Sequence, residues 1–533
     1  RGFHITSYQM VRLVRKILDQ FSSVPLSDLP PLVNQLLLLS AKGEQQLILC
    51  GLADHFDKLD VECAARNRAA AAGAGTSTTT AAATSTSAVS YAQQLRNVEG
   101  TVLLHFNLAI KQDQSLAKIL LQDFGQNASS AVFSPFRIGM MLSMNQIHRF
   151  AAPAIESVVS AARNEYRVSN RENKSEWLGA LSEQEKRADA IKEDEANTTT
   201  TTTTTTSNID LALQAVINNT SIGWENIIPS VIRVCIQLIE MSPSPFSTAS
   251  AENPDPLRLQ RLSPEARCAD LGIRLLSQAF FRQPVVRPQV LDAISMSLAV
   301  RAPACANFVR LLRCICVHEP ATVLKQAGND ARLIKETIES MSHLPAVTAG
   351  RLVHAVSPLF PHNRSILDTT VIVLRKATFS RDSSSRKVAV AGFMQLLAVQ
   401  NGGQGSRQNK SVSFGGDGGG RGGGSSMMAG RGLYFDVLGS LRRCLSQDES
   451  VRRNVYAGCV SIAHRCPWSR PLIVELLTRQ LSRVVDVTST PPLDLAACVK
   501  FKEPVAHLLV ALHRCTTLVS TIPGITAGGG GVA

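Results

Sequence analysis

Two arginine pairs, Arg442–Arg443 and Arg452–Arg453, stand ten residues apart and are the strongest candidates for binding chemistry in this 533-residue chain. A guanidinium presents a planar fork of donors that matches phosphate oxygens two at a time. Set on neighbouring helices, the pairs could line one groove with Arg375, Lys376, Arg386 and Lys387. Contacts of that kind position a nucleic-acid duplex without reading its sequence. The same residues could instead form a solvated charged face, and spacing alone leaves both readings open. On a helix, Lys376 falls on the stripe of Thr369, Ile372 and Ser380, beside Arg375 and away from the apolar stripe. An amine there is one more surface lysine, and pattern alone does not select a lysine that accepts a modifier.

Other constellations are weaker. The run Cys314-Ile315-Cys316-Val317-His318 invites a metal reading. Zinc sites combine two cysteine knuckles, or one knuckle with a histidine pair, and no second set follows. Residues two apart on a helix also point in different directions. These cysteines are read as buried structural thiols, and His464/Cys466 and His513/Cys515 are read the same way. The glycine tract FGGDGGGRGGGSS lacks G-x-x-x-x-G-K-[ST] and has no strand before it, so nothing aims its N–H groups at a phosphate. It is read as a flexible tether. No G-x-S-x-G, H-E-x-x-H or kinase signature occurs. No catalytic residue, cofactor or metal ligand is assigned, and an enzyme is not expected.

The elements that must position the basic residues are helices. Residues 365–398 hold two back-to-back amphipathic patterns. Leu367, Val371 and Leu374 mark the first; Val388, Phe393, Leu396 and Leu397 mark the second, with Ser383–Ser385 offering N-cap oxygens between them. Across residues 208–400 helical patterns recur about every 18–22 residues, and pairing them gives the period near 40 typical of HEAT and armadillo repeats. No strand-period alternation is strong. The expected fold is all-α: an irregular HEAT/armadillo-like α-solenoid with helical domains.

Composition marks the joints. Helical blocks are expected at 1–63, 91–180, 208–400 and 433–533. They are separated by an Ala/Thr/Ser-rich linker at 64–90, a disordered polythreonine segment at 181–207 and a Gly-rich loop at 401–432. The absence of an initiator Met and the GGGGVA end suggest a fragment. The net charge is +13, and residues 360–465 hold 15 Lys and Arg against 6 Asp and Glu. Such a concentrated positive field attracts polyanions. The 12 scattered cysteines form no disulfide framework, which points to a reducing compartment. No apolar run is long enough to span a bilayer, so a soluble chain and no membrane partner are expected.

The wording of several segments is specific. VLRKATF followed by SSSRKVAVAGFMQLL at 373–397, VEGTVLLHFNLAIK from Val98, SPFRIGMMLSMNQIHRF from Ser134, PLVNQLLLLSAKG from Pro31 and SLRRCLSQDESVR from Ser440 occur in one order. Together they resemble the central part of the Fanconi anaemia group I family. The resemblance implies a DNA-repair scaffold made of α-solenoids. It assigns 1–63 to the end of the first solenoid, 91–180 to the first helical domain, 208–400 to the second solenoid and 433–533 to the start of the second helical domain.

It further implies pairing with a paralogue, the Fanconi anaemia D-two group protein, binding to double-stranded and branched DNA, and a nuclear, chromatin-associated location. A single ubiquitin would be attached by the Fanconi core ubiquitin-ligase complex to Lys376, the lysine of VLRKATF, rather than to Lys387. The DNA-binding candidates are then Arg375, Arg386, Lys387, Arg442, Arg443, Arg452 and Arg453. The family's Ser-Gln cluster after the acceptor helices is missing from the glycine tract, which leaves Ser446-Gln447 as the nearby phosphorylation candidate; Ser277-Gln278 reads as buried. The alternative is a HEAT-like protein–protein adaptor without DNA binding, its basic face meeting acidic proteins.

Overall fold

The computed structural model describes residues 6–73, 80–127, 134–188, 208–242, 263–300, 303–318, 329–405, 436–465, 469–485 and 502–520, with 320, 494, 496, 498 and 499. The described elements are α-helices and short 3-10 turns. The chain divides after Val290 into two compact units.

In the first unit, α1 (Ser7–Gln20) opens with a capping box: the Thr6 hydroxyl accepts from Gln9 N at 3.4 Å, and Thr6 N donates to the Gln9 side chain at 3.0 Å. Helix α2 (Leu29–Ser40) starts on two prolines, whose missing N–H groups have no partner in a first turn. It packs on α4 (Thr80–Gln112), as does α3 (Gln45–Gly73). Next come α5 (Ser115–Asn127) and α6 (Pro135–Ser143). Residue Phe136 and residues 138–143 of α6 are all buried, the mark of a helix enclosed on every side. Phe136 stacks on Phe56 at 4.3 Å and meets the edge of Trp224 at 6.4 Å. Long α7 (His148–Ala188), α8 (Asn208–Asn219), α9 (Ile228–Glu240) and α10 (Pro264–Arg282) complete the unit. Helices α9 and α10 cross closely because Gly272 has no Cβ; one there would lie 2.7 Å from the Cys235 carbonyl oxygen.

The motif from Val98 has a structural explanation. Glu99 is fully buried, and Arg96 bridges it at 2.7 Å and Asp60 at 2.5 Å. A Cβ on Gly100 would collide with the carbonyl oxygen of Gly223, itself at φ +100°, where only glycine sits without strain. Burial, and then the charge of Asp60, push the Glu99 carboxyl up to about 8 despite Arg96.

Helix α11 (Arg287–Ala299) contains the division point. The second unit then stacks α12 (Cys305–His318), α13 (Asn329–Glu339), α14 (Ala346–Val356), α15 (Arg364–Thr378) and α16 (Ser383–Gly405), followed by α17 (436–444), α18 (Glu449–Arg465), α19 (Arg470–Leu481) and α20 (Val505–Ser520). One layer runs α12–α14–α16–α18–α20, each helix packed on the next of the set, while α13 packs on α15 in a second layer. Helices that meet their neighbours two along the chain are solenoid construction. The all-α solenoid expectation holds.

Several boundaries differ from those read in sequence. The Ala/Thr/Ser tract is helical up to Gly73 and again from Thr80, because alanine's helix propensity outweighs the interleaved threonines. Helix α7 continues to Ala188, eight residues into the segment expected to be disordered; residues 189–207 lie outside the described residues. Helix α16 runs on to Gly405, and the rest of the glycine tract also lies outside them. Within the 91–180 block, a 3-10 turn at Met144–Gln146 separates α6 from α7. No helix among the described residues is long and apolar enough to cross a membrane.

Candidate nucleic-acid interface and modification site

Helix α15 buries Ile366, Thr370, Val371, Leu374, Ala377 and Thr378. Asn363 caps its start, its side chain accepting from Ser365 N at 3.0 Å. Arg375 and Lys376 occupy its last turn, where cations complement the negative end of the helix dipole. Lys376 is exposed between Ile372, 52% exposed, and Phe379, 70% exposed. No ion pair holds it among the described residues. Arg375 is exposed but reaches Asp436 at 3.2 Å.

The start of α16 is capped differently from the sequence reading. Asp382, not the serines, is the acceptor: Ser384 N and Ser385 N donate to its carboxylate at 3.1 and 3.2 Å. The serine hydroxyls donate to it as well, and these bonds hold Asp382 down at about 2. Arg386 follows, largely covered, donating to the Ser380 carbonyl at 3.2 Å and pairing with Asp448. Lys387 is half-buried.

The turn between α17 and α18 lies against this region. Gln447 donates its side-chain amide to the Thr378 carbonyl at 2.9 Å, and the Ser383 and Ser450 hydroxyls meet at 3.0 Å. Ser446 is exposed, with its hydroxyl turned back onto the Arg443 carbonyl at 2.7 Å. Arg442 and Arg443 are exposed and make no ion pair among the described residues.

Arg452 departs from the expectation. It is 6% exposed, and its guanidinium reaches the Gln447 carbonyl at 2.5 Å, the Lys502 carbonyl at 2.7 Å and Glu503 at 3.3 Å. Tyr456 and Gln480 also donate to Glu503, closing a buried network between α18, α19 and the turn before α20. Arg452 is therefore withdrawn from the phosphate-facing set: its donors are consumed inside the fold. Its neighbour Arg453 is exposed and pairs with Glu449 one turn earlier. The two arginine pairs do not present four equivalent cations.

The structure thus gathers Arg375, Lys376, Arg386 and Lys387 with the Ser446–Ser450 turn. Sequence reasoning missed the clamp residues Gln447 and Asp448. It also missed Arg479 and Arg483, which line a groove with Arg442. Their signal was present in the recurrence 472, 476, 479, 483, a helical stripe mixing leucine and arginine. Ser277, expected to be buried, is half-buried. In α12, Cys316 is buried, which pushes its thiol up to about 12, and Cys314 is half-buried.

Comparison with known families decides the class. Four family models match in order: FANCI solenoid 1 over residues 1–111, FANCI helical domain 1 over 115–194, FANCI solenoid 2 over 227–394 and FANCI helical domain 2 over 418–522. The chain belongs to the Fanconi anaemia group I family. It is 27% identical over 542 residues to the Fanconi anemia group I protein of Gallus gallus, covering 97% of this chain and 37% of the relative. It is 26% identical over 531 residues to the Fanconi anemia group I protein homolog of Mus musculus, covering 96% of this chain and again 37% of the relative. The chain therefore spans just over a third of the length of these relatives. The solenoid 1 match takes in α4, the helix packed on α2 and α3, and the solenoid 2 match contains α15 and the start of α16.

Proposed function

We propose that this chain is part of a non-enzymatic scaffold for interstrand crosslink repair, acting on chromatin in the nucleus. In this reading it pairs with the D-two group paralogue and binds duplex and branched DNA. The Fanconi core ubiquitin-ligase complex switches it by attaching one ubiquitin to Lys376.

The carrying observation is Lys376 itself: an exposed amine with no ion pair among the described residues, in the stretch matched by FANCI solenoid 2. Isopeptide formation needs an accessible nucleophilic amine. Lys387, half-buried at the start of α16, is a poorer candidate on the same ground.

The DNA-facing cations are Lys387, Arg442 and Arg443, supported by Arg375, Arg386 and Arg453. The last three must trade exposed or part-exposed carboxylates, those of Asp436, Asp448 and Glu449, for phosphates. Ion pairs to such carboxylates are worth about 0–1 kcal/mol, so the exchange is easy. A phosphate on exposed Ser446 would add roughly two negative charges beside Arg443 and weaken that contact. The test is to map ubiquitin on the full-length protein with Lys376→Arg as the control.

A further inference from the structure

Between α17 and α19 lies a groove of about 500 Å³. Two facing helical stripes build it. From α17 and its end come Leu438, Arg442 and Leu445; from α19 and its end come Leu472, Leu476, Arg479 and Arg483. Spacings of three and four along both elements make each stripe one helix face, so leucines lie along the groove and arginines punctuate it. One acid is present, Glu475, and Arg479 already neutralises it at 2.5 Å. Four leucines and Gly439 thus share the lining with three arginines, Gln480 and the paired Glu475.

A second observation points the same way. Gly439 sits within α17, where glycine is less favourable than alanine by about 1 kcal/mol. Internal crowding explains Gly392 and Gly458, where a Cβ would meet Leu374 and Met394; it does not explain Gly125 in α5. A Cβ on Gly439 would meet nothing within 4 Å. The glycine that lines the groove opens onto space with no neighbour from the described residues.

We propose that this groove docks an amphipathic helix of a partner protein, with leucine-type anchors on one face and Asp or Glu along its flanks. The groove elements, residues 436–445 and 470–483, are long enough at 1.5 Å per residue to seat about three turns of such a helix. Anchors at i, i+3/i+4 and i+7 would pack on Leu438, Leu445, Leu472 and Leu476, the usual way a helix is held in a groove. The bare backbone at Gly439 permits close helix approach, and the flanking carboxylates meet Arg483 and Arg479, the latter exchanging its exposed partner Glu475. A nucleic-acid backbone is the poorer occupant, because it has no apolar face for the leucine floor.

The test is fluorescence anisotropy of a labelled peptide built from Leu and Glu at helical spacing, titrated with the 533-residue chain. A second peptide carries Gln in place of Glu. The groove predicts saturable binding of the first, at least tenfold weaker binding of the second, and at least tenfold loss in Leu472→Asp and in Arg479→Glu/Arg483→Glu. Gly439→Leu should block binding without harming the fold, which the far-ultraviolet circular dichroism signal and unfolding midpoint would verify. Leu472→Asp should leave duplex binding unchanged. The proposal is overturned if the Leu/Glu peptide does not bind, if folded Gly439→Leu binds it equally well, or if Leu472→Asp reduces duplex affinity as much as peptide affinity. The last result would make the groove part of a nucleic-acid path.

Discussion

The Gln447 side chain donates a hydrogen bond to the Thr378 carbonyl at 2.9 Å, fastening the turn that carries Ser446 to the helix end that carries Lys376. Residues 69 apart in sequence are joined at the place where the last carbonyls of α15 lack helical partners. The Arg386–Asp448 pair and the Ser383–Ser450 contact lie along the same seam.

Removing that clamp should loosen the end of α15 that carries Lys376 without unfolding the unit. Gln447→Ala is expected to lower stability by about 1 kcal/mol, the net worth of one hydrogen bond. Amide hydrogen exchange should accelerate at 376–380 and stay unchanged in α12. Uniform acceleration across the second unit would contradict a local clamp.

Arg452→Ala separates burial from binding. It leaves Glu503 buried beside Tyr456 and Gln480 with its charge uncompensated, a loss of about 3–5 kcal/mol for a broken buried pair. The urea midpoint should fall accordingly, while the folded fraction keeps its duplex affinity. Arg443→Ala should do the reverse: little change in stability, weaker duplex binding, and a flatter dependence of log affinity on log salt by about 0.9. An unchanged salt slope would remove Arg443 from the DNA-facing set.

The contrast between Arg452 and Arg453 shows where sequence reading stops. The two are adjacent, identical in type and equally helical by pattern. Their fates are set by Glu503, some fifty residues later, whose position depends on how α20 packs on α18. Helices α15 and α16 were legible because their apolar spacing is regular and both faces are used. The N-cap of α16 was misplaced because Asp382 and three serines all cap well, and only the geometry of the bend chose Asp382. The Ala-rich continuation of α3 is hard to read in sequence because the interleaved Gly and Thr match a linker's composition, while alanine's helix propensity carries the helix on to Gly73. The VEGT wording was recognisable, but the pairing of Gly100 with Gly223 needed the fold.

The buried pair on Arg96 predicts a pH dependence. One guanidinium balances one carboxylate, so burial raises both the Glu99 and the Asp60 carboxyls. A carboxyl that binds its proton more tightly when folded contributes stability that is complete below its unfolded value and lost as pH rises through its folded one. For Glu99 that window runs from 4.5 to about 8. The urea midpoint of the first unit should therefore fall between pH 6 and pH 9, and Glu99→Gln should remove most of the fall. A midpoint that is flat over this range in the unaltered chain would contradict the shared-proton account.

The exposed amine of Lys376 carries the functional reading, and mass-spectrometric mapping of ubiquitin on the full-length protein after crosslink damage tests it most directly. The account predicts a single ubiquitin on Lys376, absent in Lys376→Arg, with no compensating modification of Lys387. Ubiquitin on another lysine, or an unmodified Lys376 under damage that modifies the D-two paralogue, would contradict it.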